Sequence, residues 1–379
     1  MKVVKLSDVV VRANTKEDRK TTTRIYYAAG EQVEPQELLV RRKGIIAEAD
    51  LGPMFYFGFK SGQVLLPSRS FESKKAAVAT YDGICSEKTF VLETKDPNVL
   101  LQEYLVFIIQ NELFWQYAEE NKSGSVNFFL NWSAIANYEF TLPSLDEQKV
   151  LADKLWAAYR VKESYKKLLA ATDDMLKAKF MEMFGEENGV KYQIKDLFDL
   201  QMGKTPDRKN NTYWENGKHK WFSIADMSKS NMYSEDTEEY ISDVAVERSG
   251  IKTVRSGTIF MSFKLTIGKV LIASEDVFTN EAIMAFNEKI PYDSETGLRI
   301  SKKWIYYCFV YKDWLENAAQ AVKGRTLNKE SIGNSKVILP DYHLQQEFVA
   351  IATQAEATKE SLRKSIENID QVIKSLINQ

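Results

Sequence analysis

Seam positions recur with alternating steps of four and three residues in two long stretches of the chain. The first seam contains Leu151, Leu155, Ala158, Lys162, Tyr165, Leu169, Thr172, Leu176 and Met183. The second seam contains Phe348, Ala352, Ala355, Lys359, Leu362, Ile366, Ile369, Ile373 and Leu376. A period of 3.5 residues over about four heptads is typical of helices that wind around each other. We predict two helices of roughly 35–40 residues, paired antiparallel with each other; a coiled coil that only dimerises separate chains is the alternative.

The two stretches belong to an internal repeat. Residues 131–180 align without a gap onto residues 328–377, at a constant offset of 197. The identical pairs include Asn131/Asn328, Ile135/Ile332, Asn137/Asn334, Leu142/Leu339, Pro143/Pro340, Gln148/Gln345, Lys162/Lys359, Glu163/Glu360, Ser164/Ser361, Asp173/Asp370 and Lys177/Lys374. Such a period is too long for a solenoid. It predicts two copies of a whole domain, related by a pseudo-two-fold axis.

The ends of the first long helix are marked in the sequence. Ser144 and Glu147 form a capping box directly after Pro143. Gly185 is a stop signal at the other end. In the second copy Leu344 stands where Glu147 stands in the first, so only the first helix start carries the full signal.

Each predicted helix follows a region of mixed α/β character. The first region is strand-like at 63–67, 76–80 and 89–93 and helical at 100–120; the second is strand-like at 258–264 and 268–273 and helical at 302–321. We predict an α+β fold in which two mixed α/β domains are separated by an antiparallel coiled coil. The predicted boundaries are 1–143, 144–185, 186–340 and 341–379. The two regions share the order of their predicted elements but differ in almost all of their sequence between them. This is what two domains that bind different targets would show.

Composition limits the class of protein. The 379 residues are 44% hydrophobic and 12% aromatic, which is enough for two or three domains with real cores. No apolar run is long enough for a membrane span, and the start lacks the apolar stretch of a signal peptide. Cys85 and Cys308 occupy unrelated places in the two halves, and we expect both to be reduced and buried in a cytoplasmic protein. A net charge of −2 argues against non-specific coating of nucleic acid.

Motifs for catalysis are missing from the sequence. The chain has two histidines, His219 and His343, and no metal-ligand spacing around them. It contains no phosphate-binding P-loop, no glycine-rich dinucleotide motif and no adenine-methyltransferase motif. We therefore expect no enzymatic active site and no cofactor in this chain.

Basic and polar loops are the candidate binding elements. In the first region they contain Ser68, Arg69, Lys74 and Lys75. In the second region they contain Lys204, Thr205, Arg208, Lys209, Lys264, Lys323, Arg325 and Thr326. Lysine, arginine, serine and threonine on loops suit contacts with DNA phosphates, and arginine also suits bidentate reading of guanine. The alternative is that these are ordinary solvated loops. Because basic loops occur at similar positions in both copies, we favour DNA binding.

These features resemble those of the specificity subunit of type I restriction–modification systems. The order of elements is a variable α/β region, then Leu-Pro, then a glutamine and a long heptad helix. This order occurs twice and covers essentially the whole chain. GKTP at 203–206 and WFSIADM at 221–227 resemble the start of a target recognition domain in that family. GQVLLPSR at 62–69 and KAAVATYDGI at 75–84 resemble another type of recognition domain.

The resemblance implies a function without chemistry of its own. Each recognition domain would read one half of a split, asymmetric sequence in double-stranded DNA, and the paired helices would set the gap. Two modification subunits carrying S-adenosylmethionine would methylate adenine, and restriction subunits using ATP and magnesium would cleave. The alternatives are a stand-alone DNA-binding regulator or architectural protein, and a scaffold whose helices join two unrelated modules.

Overall fold

The computed structural model describes residues 2–69, 71–185, 190–289, 299–315, 319–321 and 324–378. The chain divides into two compact units. The first unit comprises Met1–Leu168 and Ser361–Gln379, and the second comprises Leu169–Glu360. Each unit therefore contains one α/β region and parts of both long helices. The predicted boundaries separate each α/β region from its long helix along the sequence, whereas the two compact units each combine a region with helix segments. The predicted boundaries therefore stay a prediction.

The first unit is built from short strands followed by helices. Its strands are β1 (Lys2–Lys5), β2 (Val10–Arg12), β3 (Tyr26–Ala28), β4 (Leu39–Val40), β5 (Gly44–Ile45), β6 (Phe55–Phe59), β7 (Val64–Pro67), β8 (Ala77–Ala79), β9 (Gly83–Ser86), β10 (Thr89–Thr94) and β11 (Glu139–Leu142). Its helices are α1 (Leu6–Val9), α2 (Gln102–Gln110), α3 (Glu112–Glu120), α4 (Trp132–Ile135) and the N-terminal part of α5 (Leu145–Phe184), with residues 361–377 of the second long helix.

Three sheets organise this unit. One runs in the order β2-β10-β7-β8-β4, another in the order β5-β3-β9-β6, and β1 pairs antiparallel with β11. All four residues of β7 are buried, because both faces of the strand are covered. The main core lies between this sheet, α2, α3 and the long helices, where Leu155, Tyr159 and Ile373 are buried.

The helical stretch predicted at 100–120 is interrupted at Asn111. This residue has extended backbone (φ −63°, ψ 140°), and its side-chain oxygen accepts a hydrogen bond from the Leu113 amide at 2.8 Å. Its side-chain nitrogen donates to the carbonyl oxygen of Ile377 at 2.6 Å. The predicted helical stretch is present as two helices, because asparagine caps a second helix here.

The second unit repeats this plan with different strands. They are β12 (Val190–Gln193), β13 (Phe198–Met202), β14 (His219–Phe222), β15 (Glu239–Ile241), β16 (Ile259–Ser262), β17 (Val270–Ile272), β18 (Phe278–Thr279), β19 (Ile283–Glu288), β20 (Ala319–Ala321), β21 (Gly324–Thr326) and β22 (Lys336–Leu339). Its helices are α6 (Ile194–Leu197), α7 (Ile224–Lys229), α8 (Asp243–Arg248), α9 (Lys302–Tyr311), α10 (Lys329–Asn334), the C-terminal part of α5 and the N-terminal part of α11 (Tyr342–Ile377).

The sheets of the second unit differ from those of the first. They run in the orders β13-β19-β16-β17 and β15-β14-β18, β12 pairs with β22, and β20 pairs with β21. Helix α9 ends at Tyr311, so the prediction of helix through residue 321 was wrong. Lys312 takes extended backbone, and the indole nitrogen of Trp314 donates to the Phe309 carbonyl at 2.8 Å, which turns the chain back onto the helix end.

The long helices pair antiparallel in each unit. In the first unit the first half of α5 packs on the C-terminal part of α11, where Leu155 and Tyr159 share a core with Ile373. In the second unit Phe180 and Phe348 meet with ring centroids 5.1 Å apart. The helices span 40 and 36 residues, as predicted. The capping box is also present: the Ser144 amide donates to Glu147 at 2.8 Å, and the Glu147 amide donates to the Ser144 hydroxyl at 3.4 Å.

The residues shared by the two copies make the same contacts. Fully buried Gln148 accepts a hydrogen bond from the Leu101 amide and donates to the carbonyls of Val99 and Pro143, over 2.9–3.0 Å. Gln345 in the second unit makes the same set of bonds: it accepts from the Ser301 amide and donates to the carbonyls of Arg299 and Pro340. The repeated glutamine therefore joins the start of each long helix to the segment that leads into α2 or α9.

Candidate nucleic-acid interface

A basic loop at 203–209 follows β13 and is fixed to β18. Gly203 has no room for a side chain, since a Cβ atom there would lie 2.2 Å from the carbonyl oxygen of Asn280. The Lys204 amide donates to the Thr279 carbonyl at 2.8 Å, and the Lys204 carbonyl accepts from the indole nitrogen of Trp221 at 3.1 Å. The loop is therefore a defined surface feature, and Lys204, Arg208 and Lys209 are exposed on it.

Arg208 is held by an aromatic platform and a carboxylate. Its guanidinium carbon lies 3.9 Å from the ring centroid of Trp214 and 4.8 Å from that of Trp221. Its two terminal nitrogens donate to the two carboxylate oxygens of Glu239, one of them at 2.9 Å. The hydrogen bond to Glu239 is the main cause that raises the pKa of Arg208. The guanidinium is planar and oriented, and its N–H groups that do not bond Glu239 can donate to guanine or to a phosphate.

A second carboxylate, Glu281, draws several predicted residues together. The Thr205 hydroxyl donates to Glu281, and this bond is the main cause that lowers the pKa of the carboxyl group. The positive charges of Lys264 and Arg208 lower the same pKa. Thr205 therefore bonds this acidic group directly, and the charges of Arg208 and Lys264 act on it, although Lys264 is distant in sequence.

Carboxylates within the cluster change what it can bind. Glu239 and Glu281 neutralise part of the positive charge, which weakens uniform attraction to phosphates. Paired cations and carboxylates can instead donate to guanine and accept from the amino group of cytosine. The arrangement therefore suits reading of base edges better than coating of the DNA backbone.

Lys264 lies in the turn between β16 and β17. Its neighbour Leu265 is 94% exposed and has a positive φ of 60°. The turn is held by a hydrogen bond from the Ser262 hydroxyl to the Thr266 carbonyl. It therefore presents one ammonium group and one apolar side chain to solvent.

The predicted residues of the first unit have more varied surroundings. Ser68 is buried, with its amide bonded to the Lys88 carbonyl at 2.7 Å, so it lies in the domain interior and not on a solvated loop. Arg69 is exposed. The Lys74 ammonium pairs with Glu112 at 2.6 Å, and that of Lys75 donates to the Gly30 carbonyl at 2.8 Å. Both lysines are thus bonded within their own domain.

A basic run in the first unit was not among the predicted residues. Arg41, Arg42 and Lys43 follow β4 and are exposed. The Lys43 ammonium lies 4.5 Å from the ring centroid of Tyr26, while Arg42 pairs with Glu34 at 3.5 Å. Three consecutive cations are visible in the sequence, and this signal alone was enough to select them.

The remaining predicted residues lie near the chain segment 319–326. Lys323 lies outside the described residues. Arg325 and Thr326 belong to β21, of which the backbone is described. Whether any of the twelve predicted residues contacts DNA stays a prediction.

In the described part of the chain no group of three or more histidine, cysteine, aspartate or glutamate side chains could hold a metal ion. Among the helices of the described residues, none is long and apolar enough to cross a bilayer.

Comparison with known families gives a match over both copies. The model of the "Type I restriction modification DNA specificity domain" matches residues 1–171 and 186–371. The chain belongs to this family. It carries two such domains, as the repeat predicts, and the predicted family is confirmed.

Similar proteins carry the same description. The chain is 24% identical over 184 residues to the "Type I restriction enzyme MjaIX specificity subunit" of Methanocaldococcus jannaschii, across 48% of this chain and 40% of that protein. A match to the EcoprrI specificity subunit of Escherichia coli, 25% identical, spans 32% of this chain and 29% of that protein. The chain thus matches less than half the length of these curated relatives.

Solved structures share the fold. One, described as "Structural basis underlying complex assembly and conformational transition of the type I R-M system", has a TM-score of 0.62 at 16% identity, over 99% of this chain and 96% of the other. The S subunit of a type I system from M. genitalium has a TM-score of 0.54 at 12% identity, over 99% and 94%. The predicted fold class, with two mixed α/β domains and long paired helices, is confirmed.

Proposed function

We propose that this chain is the sequence-specific DNA-recognition subunit of a type I restriction–modification complex. It reads a bipartite, asymmetric site and directs adenine methylation and restriction by partner subunits. One observation carries the proposal: one chain contains two copies of a DNA specificity domain. The copies keep the contacts of Gln148 and Gln345 but differ in sheet order and in loops.

The frame shared by the two copies and the regions that differ between them have different roles in this proposal. The frame, made of the long helices and the strands that lead into them, binds the same partner twice, so two modification subunits join one chain. The variable sheets and loops each read one half-site. The cluster around Arg208 and Glu281 is the proposed reading surface of the second domain, because its donors and acceptors match base edges.

The chemistry of the complex belongs to the partners. We assign S-adenosylmethionine to the modification subunits, and ATP and magnesium to the restriction subunits, and we assign this chain no catalytic role and no cofactor. The near-neutral charge supports this division, because partner subunits can supply part of the phosphate contact that dominates affinity for DNA. The cytoplasm is the proposed location, since the DNA and these partners are found there.

Co-expression tests the proposal. The chain is produced together with the modification subunit of its own system in a host without adenine methylation at such sites, and the genome is sequenced for methylated adenine. We expect one split motif with a methylated adenine in each half. Controls express each protein alone. Methylation that is the same without this chain would refute the proposal, and tight, specific DNA binding by the chain alone would favour a stand-alone regulator.

A further inference from the structure

Each long helix places one lysine in its apolar seam. Lys162 of α5 and Lys359 of α11 stand at equivalent positions of the repeat, and their side chains are only 10% and 11% exposed. Burial of an ammonium group is costly unless a partner compensates the charge. An apolar residue at these positions would pack without that cost, so packing alone does not explain the two lysines.

Each lysine pairs with an aspartate of the other helix. In the first unit the Lys162 ammonium lies 2.6 Å from a carboxylate oxygen of Asp370. In the second unit the Lys359 ammonium lies 2.6 Å from a carboxylate oxygen of Asp173. The aspartates are also equivalent in the repeat, and they are 49% and 59% exposed. The two ion pairs are therefore the same interaction, made once in each unit with the helices exchanged.

We propose that these crossed pairs fix the register of the two long helices and thereby set the gap between the half-sites. The four residues are positioning residues that determine spacing specificity. A polar residue in the seam of a coiled coil is known to select one register at some cost in stability. The consequence for the gap rests on the proposed function, but the consequence for helix register does not.

A slip by one heptad in one direction would bring like charges together. Seven residues correspond to about 10 Å along a helix. In an antiparallel pair, Lys162 would then stand opposite Arg363, and Lys359 would stand opposite Lys166. The aspartates would lose their partners at the same time. This register is therefore opposed by repulsion as well as by the loss of both ion pairs.

A slip in the other direction would place all four charged side chains opposite apolar residues. Lys162 and Lys359 would face Ile377 and Phe180. Asp173 and Asp370 would face Ile366 and Leu169. Lys359 keeps a second partner, Glu356 of its own helix, in any register. Because neither slip places a carboxylate of the other helix opposite either ammonium group, the native register is the only one of the three with ion pairs between the helices at these positions. An all-apolar seam would not make this distinction.

An apolar seam is the first test. The variant combines Lys162→Met, Asp370→Leu, Lys359→Met and Asp173→Leu. We expect it to fold with paired helices and with thermal stability equal to or above that of the wild type, since buried ion pairs are often replaced by apolar residues without loss. We expect the register to become mixed.

Two measurements read the register. Spin labels are placed at positions 161 and 372, where Val161 and Val372 are 43% and 51% exposed on the two helices of the first unit. A Cys308→Ser background removes the partly exposed native thiol. The wild-type seam should give one distance, and the apolar seam should give an additional population with the helices displaced by about 10 Å. In the complex with the modification subunit, methylation should spread to sites with other gaps and unchanged half-sites.

Further variants separate register from general stability. Lys162→Asp alone should widen the distribution of spin-label distances and that of the gaps between methylated half-sites. The exchange of Lys162→Asp with Asp370→Lys should narrow both again. This comparison decides the matter if the apolar variant fails to fold. Lys179→Met is the matched control, because Lys179 pairs with Glu182 of the same helix and should leave register and gap unchanged.

Some results would overturn the proposal. One distance and one gap in every folded variant would show that other contacts fix the register. A charge exchange that fails to restore what Lys162→Asp widens would do the same. If the wild type directs no sequence-specific methylation, the proposed function fails, while the spin-label distances still decide whether the ion pairs fix the register.

Discussion

Replacing Gln148 by alanine should destabilise the first unit far more than its polar character suggests. The side chain is fully buried and satisfies three backbone groups: the Leu101 amide and the carbonyls of Val99 and Pro143. Alanine leaves all three without a partner at the start of the long helix. Because glutamine and alanine are both uncharged, the variant adds no long-range electrostatic effect, and the loss is confined to these three hydrogen bonds.

The magnitude follows from the three lost bonds. A net hydrogen bond contributes about 1 kcal/mol, and an unsatisfied buried group costs about 1–3 kcal/mol. We expect Gln148→Ala to lower the free energy of unfolding by about 3–5 kcal/mol. Gln345→Ala should cost the second unit a similar amount, since Gln345 makes the same set of bonds.

Hydrogen exchange localises the effect. The Leu101 amide should lose protection by about two orders of magnitude or more, because every 1.4 kcal/mol is a factor of ten. In Gln345→Ala the loss should appear at the Ser301 amide and not at Leu101. Urea unfolding supplies the total change in stability. Gln371→Ala is the control, since this exposed glutamine lies on α11 and should change stability by less than about 0.5 kcal/mol.

A small effect would refute the reasoning. If both variants cost less than about 1 kcal/mol, the repeated glutamine would not be a structural junction. Its presence in both copies would then point to contact with a partner.

The remaining predictions concern DNA, spacing and pH. Replacing Lys204, Arg208 and Lys209 by alanine should weaken DNA binding of the assembled methyltransferase without affecting assembly; a lost phosphate contact flattens the salt dependence, a lost base contact costs about 1–3 kcal/mol at one position, and unchanged binding would refute the role. Inserting four residues into either long helix, about 6 Å, should change the gap by near two base-pair steps and leave the half-sites intact; an unchanged gap in an active complex would count against the spacer. Burial raises the pKa of Glu37, but hydrogen-bonded partners, Lys166 first, outweigh it and hold the pKa below 4.5. The stabilisation by this carboxylate should therefore be fully present above about pH 4.5 and be lost as pH falls through the lower folded-state pKa; unfolding of wild type and Glu37→Gln between pH 7 and 3 measures it, and a stability difference that does not shrink on acidification would contradict it.

The long helices could be predicted because a heptad pattern is a strong periodic signal. The interruption at Asn111 could not, since residues on both sides continue an apolar helical pattern and neither proline nor glycine marks the break. The end of α9 was missed for the same reason. It is set by the docking of Trp314 on the helix end, which is a tertiary contact.

The candidate site was predictable as a set of loops and not as a geometry. The sequence points to Arg208, but its carboxylate partner Glu239 and the ring of Trp221 come from other strands. Ser68 looks like a loop residue beside Arg69, yet it lies inside the domain because strand pairing continues past Pro67. Propensity alone cannot assign burial to such a residue.

Exchange of one recognition region tests the central claim most directly. Residues 1–140 are replaced by the corresponding region of another family member, the chimaera is co-expressed with the modification subunit, and methylated adenines are mapped across the genome. We predict that one half of the split motif changes while the other half and the gap stay the same. A chimaera that assembles and alters both halves together would contradict two domains that read DNA independently.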